Sequence, residues 1–364
     1  MRDTRTFAFP KEYVNPDYFP LPHPRRLDIV EYATRLMPEC TLAELVGPSW
    51  GKLKEMLLSG EWCIPDAVEH MAREDKSFSR FAMATSEAPA GYNFGTLDIM
   101  LMSWRISASP LPMYQTTDAL EQHLLHTDIG PDTPAYWFKA PAHLSYFEFG
   151  RSRSSPLIVH NIASGEHVLE GAYLTETKLP DGRRSIHIMC IGSPVGKSSI
   201  LDDASISFRF QIDDEVQPLS EVLAINFKRQ EAQIRAMGMV VPPEEDKHSA
   251  ILAIQHLAKV LLYLNSDAPI TTVNNELDAL APSLARVQHG KRAKLLRKAN
   301  KLYNRVVVGP ATILVGSGAV RHPTAHWRRG HFRQHAHGPG YSLRKLLWIQ
   351  PVLVGFGGAA NGPC

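Results

Sequence analysis

Acid is what this sequence runs out of. From Ala279 to Cys364 there is no Asp or Glu, against 14 Lys and Arg. The whole chain carries 39 basic and 37 acidic residues, which leaves 25 basic and 37 acidic in residues 1–278. The formal net charge of +2 therefore conceals a body of −12 and a tail of +14. Asymmetry of this kind points to a polyanionic partner for the basic end.

Other scarcities exclude whole classes. The four cysteines, Cys40, Cys63, Cys190 and Cys364, are far apart and form no C-x-x-C pair. That excludes a disulfide framework and zinc-finger spacing, and the expectation is free thiols in a reducing cytoplasm. No run of 18 apolar residues occurs, so no membrane-spanning helix is expected, and the first residues lack the apolar core of a signal peptide. There is no G-x-S-x-G nucleophile elbow. Gly192-Ser-Pro-Val-Gly-Lys-Ser198 has one residue too few for a phosphate-binding loop and no helix after it, so it reads as a turn. What remains, 44% hydrophobic, 21% charged and 9% aromatic, is the composition of a globular chain long enough for two or three domains or for one large one with insertions.

Residues 1–26 hold five prolines and predict an extended arm. From Leu27 the spacing turns helical, with Leu27, Ile29, Val30, Ala33, Leu36 and Met37 on one face and Pro38 as the stop. Thr41 with Glu44 reads as a capping box, Gly47-Pro48 interrupts the turn it opens, and Pro65-Asp66 starts another helix. Leu97–Ile106 reads as a helix whose Met100 and Met102 fill a core. Beyond Leu125 the period becomes two. Tyr136–Phe138, Leu144–Phe149, His167–Leu179, Arg184–Ile191 and Ala204–Ile212 read as strands of an antiparallel sheet, with Pro180-Asp-Gly182 as a hairpin turn. Leu219–Met237 and His248–Leu264 return to helical spacing.

Leu277–Tyr303 reads as one basic amphipathic helix with Leu295, Leu296, Ala299, Leu302 and Tyr303 as its apolar stripe. A strand bent at Gly309-Pro310 is expected over Val306–Val315, then a long His/Arg loop, a closing strand Leu346–Val354 and a disordered tail. The expected fold is α+β. An N-terminal arm and helical region spans 1–125, an antiparallel sheet with helices 126–275, and a basic helix with a small His/Arg-rich β unit 276–364.

Chemistry concentrates near the end. His322, His326, His331, His335 and His337 alternate with Arg328, Arg329 and Arg333, and Trp327 and Phe332 lie between them. A metal site is disfavoured, because Pro323 and Gly330 break the helix that His322 and His326 would need, and no acid or cysteine is near. Neither a metal nor any other cofactor is expected. Arg forks hold phosphate at two points, and an aromatic neighbour can stack on an unpaired base. The candidate RNA- or partner-binding residues are therefore His326, Trp327, Arg328, Arg329, His331 and Arg333, with Arg297 and Lys298 from the basic helix. A second reading makes His326 and His331 the base and acid of a metal-independent ribonuclease, with Arg stabilising the developing charge. A third docks Arg328 and Arg329 on the acidic body as an intramolecular clamp and leaves a plain protein-interaction module. No residue is assigned a catalytic role.

At this segment the chain resembles a known family. His326-x-Arg-Arg-Gly-His331, the turn at Gly338 and Gly340, and Trp348-x-x-Pro351-x-x-Val354 are similar to the end of the type V-A anti-CRISPR proteins of the second described class. Upstream, Pro131-Asp-Thr-Pro134, Glu170-Gly-Ala-Tyr173, Leu219–Leu223, Leu261–Leu264 and Asp267–Thr271 resemble it too, so that residues 125–355 are covered. The resemblance implies a phage- or plasmid-encoded protein that shuts down the type V-A CRISPR effector nuclease. Such proteins are understood to recognise the N-terminal peptide of the nascent effector and to trigger loss of the mRNA being translated. The partners implied are that nascent effector or another polypeptide N-terminus, with RNA or the ribosome at the basic end, in the cytoplasm and without a membrane. No motif carries over the family's peptide-binding residues.

Overall fold

The computed structural model describes residues 21–27, 39–59, 61–62, 64–78, 90–149, 158–161, 165–179, 182–194, 204–236, 244–312 and 326–354. The predicted helix from Leu27 to Met37 (all but its first residue), the tail after Val354, His322 and most of the Gly192–Ser198 turn lie outside them. So do Pro180 and Asp181 of the predicted hairpin turn. The end of the predicted extended arm is a short helix, His23–Leu27. Pro24 takes its second position, where a missing N–H costs nothing.

Among the described residues four helices follow: α1 (Glu39–Val46), α2 (Trp50–Ser59), α3 (Ile64–Glu74) and α4 (Ala90–Ala108). Gly47-Pro48 breaks the first from the second through a 3-10 turn, as the sequence predicts. The capping box does not form, since α1 begins at Glu39 and Thr41 lies inside it. Glu39 favours the earlier start. Its carboxylate takes hydrogen bonds from Lys54 at 2.6 Å and Trp50 Nε1 at 3.3 Å, and an acid suits the positive end of a helix. Val46, Trp50, Leu53, Leu57, Val68, Met71, Leu97 and Leu101 make a small core of their own. Met100 and Met102 are buried as predicted. On its sheet-facing side α4 is held by polar contacts: Asp98 Oδ1 lies 3.1 Å from His187 Nε2, and Arg105 Nη1 donates to Thr175 Oγ1 at 3.0 Å.

The centre is an eight-stranded sheet. Its strands are β1 (Met113–Thr116), β3 (Leu144–Glu148), β4 (Ile158–Asn161), β5 (Gly165–Lys178), β6 (Arg184–Pro194), β7 (Ala204–Ile212), β8 (Thr271–Asn274) and β9 (Arg305–Val308). The two-residue β2 (Thr127–Asp128) belongs elsewhere. The order is β7-β6-β5-β3-β1-β9-β8, with β4 beside β5. The strands expected to be antiparallel are so, with β5 and β6 in register from Lys178 opposite Arg184. Beyond them β1 pairs in parallel with both β3 and β9, which makes the sheet mixed. It therefore runs across both expected domain boundaries, at 125/126 and at 275/276.

Alternation along the strands separates two faces. Phe147, Ala172, Leu174, Ile186, Ile188, Phe208 and Phe210 meet α5 (Asp118–Leu125), α6 (Leu219–Ala236) and α7 (Glu244–Leu264) in the main core. Tyr146, Tyr173, Met189 and Ile191 face the other way, against Met102 of α4. Tyr136–Phe138 is not a strand. Ala135–Trp137 is a 3-10 turn whose backbone is already engaged: Ala135 and Tyr136 N–H donate to Gln217 and Glu215 carbonyls, and Arg184 takes the carbonyls of Ala135 and Phe138.

The basic helix is two helices, α8 (Glu276–Arg286) and α9 (His289–Ala299), broken by extended Val287 and Gln288. Topology explains the break. Asn274 of β8 is paired with Arg305 of β9, so the chain between them must return to its start. One helix over Leu277–Tyr303 would carry it about 40 Å away. The pair hardly touches the core, for α8 buries no residue and, among the described side chains of α9, only Ala299 is buried. Of the predicted apolar stripe, Leu296 is exposed, while Ala299 and Tyr303 are buried.

Candidate functional site

The His/Arg stretch is not a loop. It is one arm of a hairpin: β10 (His326–Arg328) pairs with β13 (Val352–Val354), and β11 (Gly330–His337) with β12 (Leu343–Ile349). Both pairings share one register, so His326–His337 and Leu343–Val354 form a single ribbon interrupted where Arg329 lies opposite Pro351. Pro351 has no N–H to give, and the ladder lapses there. Gly338, Gly340 and Tyr341, all at positive φ, turn the ribbon.

Three features anchor the ribbon. Phe332 and Leu346 are buried in the main core, and Trp348 meets Tyr263 edge-on at 4.9 Å. On its open side β11 runs parallel to β2, with Gly330 opposite Thr127 and its N–H donating to His126 O at 2.9 Å. Only glycine fits at 330, because a Cβ would come within 2.5 Å of Ile349 O. Lys345 reaches Asp267 at 2.7 Å.

A period of two then sorts the candidates. Within β11, His331, Arg333 and His335 share the outer face opposite buried Phe332. Across the break at Arg329 the parity changes, for His123 meets both Trp327 and Trp348, the cross-strand partner of Phe332. His326 and Arg328 therefore turn away from the inward Trp327. His331, Arg333, His326 and Arg328 are exposed. His326 and His331 are five residues apart on extended chain, about 16 Å along the strand. They do not converge on one phosphodiester. Arg297 and Lys298 are exposed on α9, and among the described residues no hydrogen bond or ion pair joins α9 to the ribbon.

Two of the arginines behave differently. Arg329 grips Asp128 with one nitrogen at 2.6 and 2.8 Å, the contact the clamp reading foresaw. The pair is 70% and 53% exposed, and so open a bridge contributes little to stability. Arg328 makes no ion pair among the described residues.

Trp327 is committed elsewhere. It stacks on His126, with ring centroids 4.5 Å apart and planes 17° from parallel, and His123 meets it edge-on at 5.9 Å. Burial, then the neighbouring His126, pushes the His123 imidazole down to about 4. Burial, then Arg329 and Lys259, lowers His126. Gln350 Nε2 lies 3.1 Å from His123 Nδ1. Sequence reasoning passed over His123 and His126, whose only signal was their i, i+3 spacing one turn before Asp128. The result is a patch of two imidazoles that stay uncharged at neutral pH, one tryptophan, and Arg329 and Lys259 around a single acid. Among the described residues no group of three His, Cys, Asp or Glu side chains could hold a metal ion, and no helix is long and apolar enough to cross a membrane.

A family model described as anti-CRISPR type V subtype A2, AcrVA2-like, matches residues 114–356 of the 364. The chain belongs to that family. Membership carries an anti-CRISPR function directed at type V-A systems. The match runs from β1 through the whole C-terminal ribbon and leaves α1–α4 outside. Comparison with curated proteins gives no match.

Proposed function

We propose that this anti-CRISPR protein recognises the N-terminal peptide of a nascent type V-A effector and causes loss of the effector's mRNA, with its basic C-terminal region contacting RNA or the ribosome. One observation carries the nucleic-acid part. On α9, Lys291, Arg292, Lys294, Arg297 and Lys298 are exposed, and among the described residues none makes an ion pair. Solvated helices ordinarily mix charge signs, and exposed cations without acids bind phosphate by releasing its counterions. Arg333 on the outer face of the ribbon adds to the same surface charge.

Hydrolysis by the protein itself is the weaker reading, since extended chain holds His326 and His331 about 16 Å apart. Loss of the message then falls to a nuclease of the host.

The test is a reporter in cells, carrying only the effector's N-terminal codons fused to a fluorescent protein. Protein and mRNA should both fall when the anti-CRISPR protein is present, and changing the encoded peptide should restore them. The double variant His326→Ala/His331→Ala should silence as the wild type does. Unchanged reporter mRNA would count against the reading.

A further inference from the structure

The strand order ends at β7 and at β8, and the β7 border is engaged by α6, where Asn226 accepts from Gln211 N–H and donates to its carbonyl and Gln230 donates to Ser207 O. β8 ends the strand order, and among the described residues nothing pairs with its outer side. The phase of its backbone can be read from one bond, since Gly309 N–H donates to Ile270 O at 2.9 Å. Inward- and outward-facing residues alternate along an antiparallel strand. Ile270, Thr272 and Asn274 therefore turn to β9, and Thr271 and Val273 present their N–H and C=O groups outward. Val273 is 67% and Ile270 53% exposed. Natural sheet borders are usually guarded by charge, proline or a covering segment. The strand Thr-Thr-Val-Asn carries neither charge nor proline.

An open groove of ≈ 690 Å³ runs along this border, lined by Thr272, Asn274, Glu276, Ala279, Val307 and Gly309. Thr272 pairs with Val307, so the side chains in the groove come from one face of the sheet and the start of α8 forms its wall. We infer that the outer border of β8 takes up an extended polypeptide segment as an added strand, alternate side chains entering the groove and an acidic residue lying towards α9. Unpaired backbone groups at strand spacing fit an extended main chain and little else. A second copy of this chain is the poorer occupant. Joining two borders would bring two α9 helices together, each with five exposed cations, and like charges across an interface are costly. Exposed cations on α9 favour an acidic partner, and one of them, Lys298, lies near the groove wall, where Asn274 first, then Arg305 and Lys298, hold the Glu276 carboxyl below its usual range.

This assignment rests on the polypeptide-recognition reading above, and the experiment separates the two. A synthetic peptide with the N-terminal residues of a type V-A effector, labelled at its C-terminus, is titrated against the full-length protein and against Val273→Pro. Proline there removes only an outward N–H and leaves the β8–β9 ladder intact. Binding should weaken about tenfold or more, the loss expected for one main-chain hydrogen bond at a docked strand. N-methylating the peptide one amide at a time, against the wild-type protein, should weaken binding at every second position; this arm decides the matter if Val273→Pro does not fold.

Equal binding to both proteins without that alternation overturns the site and leaves the reading standing. If the effector peptide does not bind at all, the reading fails. A selection of displayed random dodecamers on the wild type, with Val273→Pro as counter-target, then decides the site alone. Wild-type-only binders that alternate on N-methylation keep it, and their absence removes it.

Discussion

Trp327 lies flat on His126, and through this contact the basic ribbon is tied to the end of α5. One face of the indole is therefore occupied by the protein itself. Base stacking, expected of Trp327 from its arginine neighbours, can use only the other face.

Removing the indole should loosen the ribbon. Trp327→Ala is expected to cost about 2–4 kcal/mol, from lost apolar contact and from the ring pair with His126. Urea unfolding measures it, and Trp327→Phe should recover most of the loss because a six-membered ring can still stack.

His123 predicts a pH dependence with a definite sign. Its folded pKa, pushed down to about 4, lies below the ordinary 6.5, so the proton binds more tightly to the unfolded chain. The stability it confers is complete above pH 6.5 and drains away as pH falls towards 4, by up to about 3 kcal/mol. Denaturant midpoints between pH 7 and 4 should fall more steeply for the wild type than for His123→Gln.

Arg184 joins the sheet to the 213–218 loop. It is 7% exposed, grips Glu215 through two nitrogens at 2.7 and 2.8 Å, reaches Glu176 at 3.1 Å and caps the carbonyls of Phe138 and Ala135. Arg184→Met should destabilise by about 3–5 kcal/mol, since it strands buried acceptors. Arg184→Lys should rescue little, for an ammonium cannot match the planar fork. Thermal unfolding of the three proteins checks the order.

If α9 contacts RNA, its cations set the salt dependence. Replacing Lys291, Lys294, Arg297 and Lys298 by Gln should reduce the slope of log affinity against log salt for single-stranded RNA by about 3, near 0.7 for each contact. Filter binding over a salt series reads it directly. An unchanged slope would place the RNA contact elsewhere, or nowhere.

Much of the fold was legible because its signals are local. Gly47-Pro48 and Pro65 punctuated helices by removing N–H groups, and the alternation of Arg184–Ile191 and Ala204–Ile212 gave strands to within a few residues. Four-residue β1 and β8 were missed, because a strand of that length has no period to detect. The candidate site was half legible. The residues Trp327–Arg333 were found from composition, but their partners His123, His126 and Asp128 lie some two hundred positions earlier, and nothing local joins them.

By itself the sequence determined the charge: an acidic body and a basic tail without a single acid after Asp278. It also determined the α+β class and, through the C-terminal motif, the family. Only the tertiary structure decided how far His326 stands from His331, that Trp327 is already stacked, and that the long basic helix must break. It alone decided that β8 is left with an open border. Those outcomes depend on strand register and on pairings between residues far apart in the chain. Register flips every side chain with a slip of one residue, and no local pattern of amino acids encodes it.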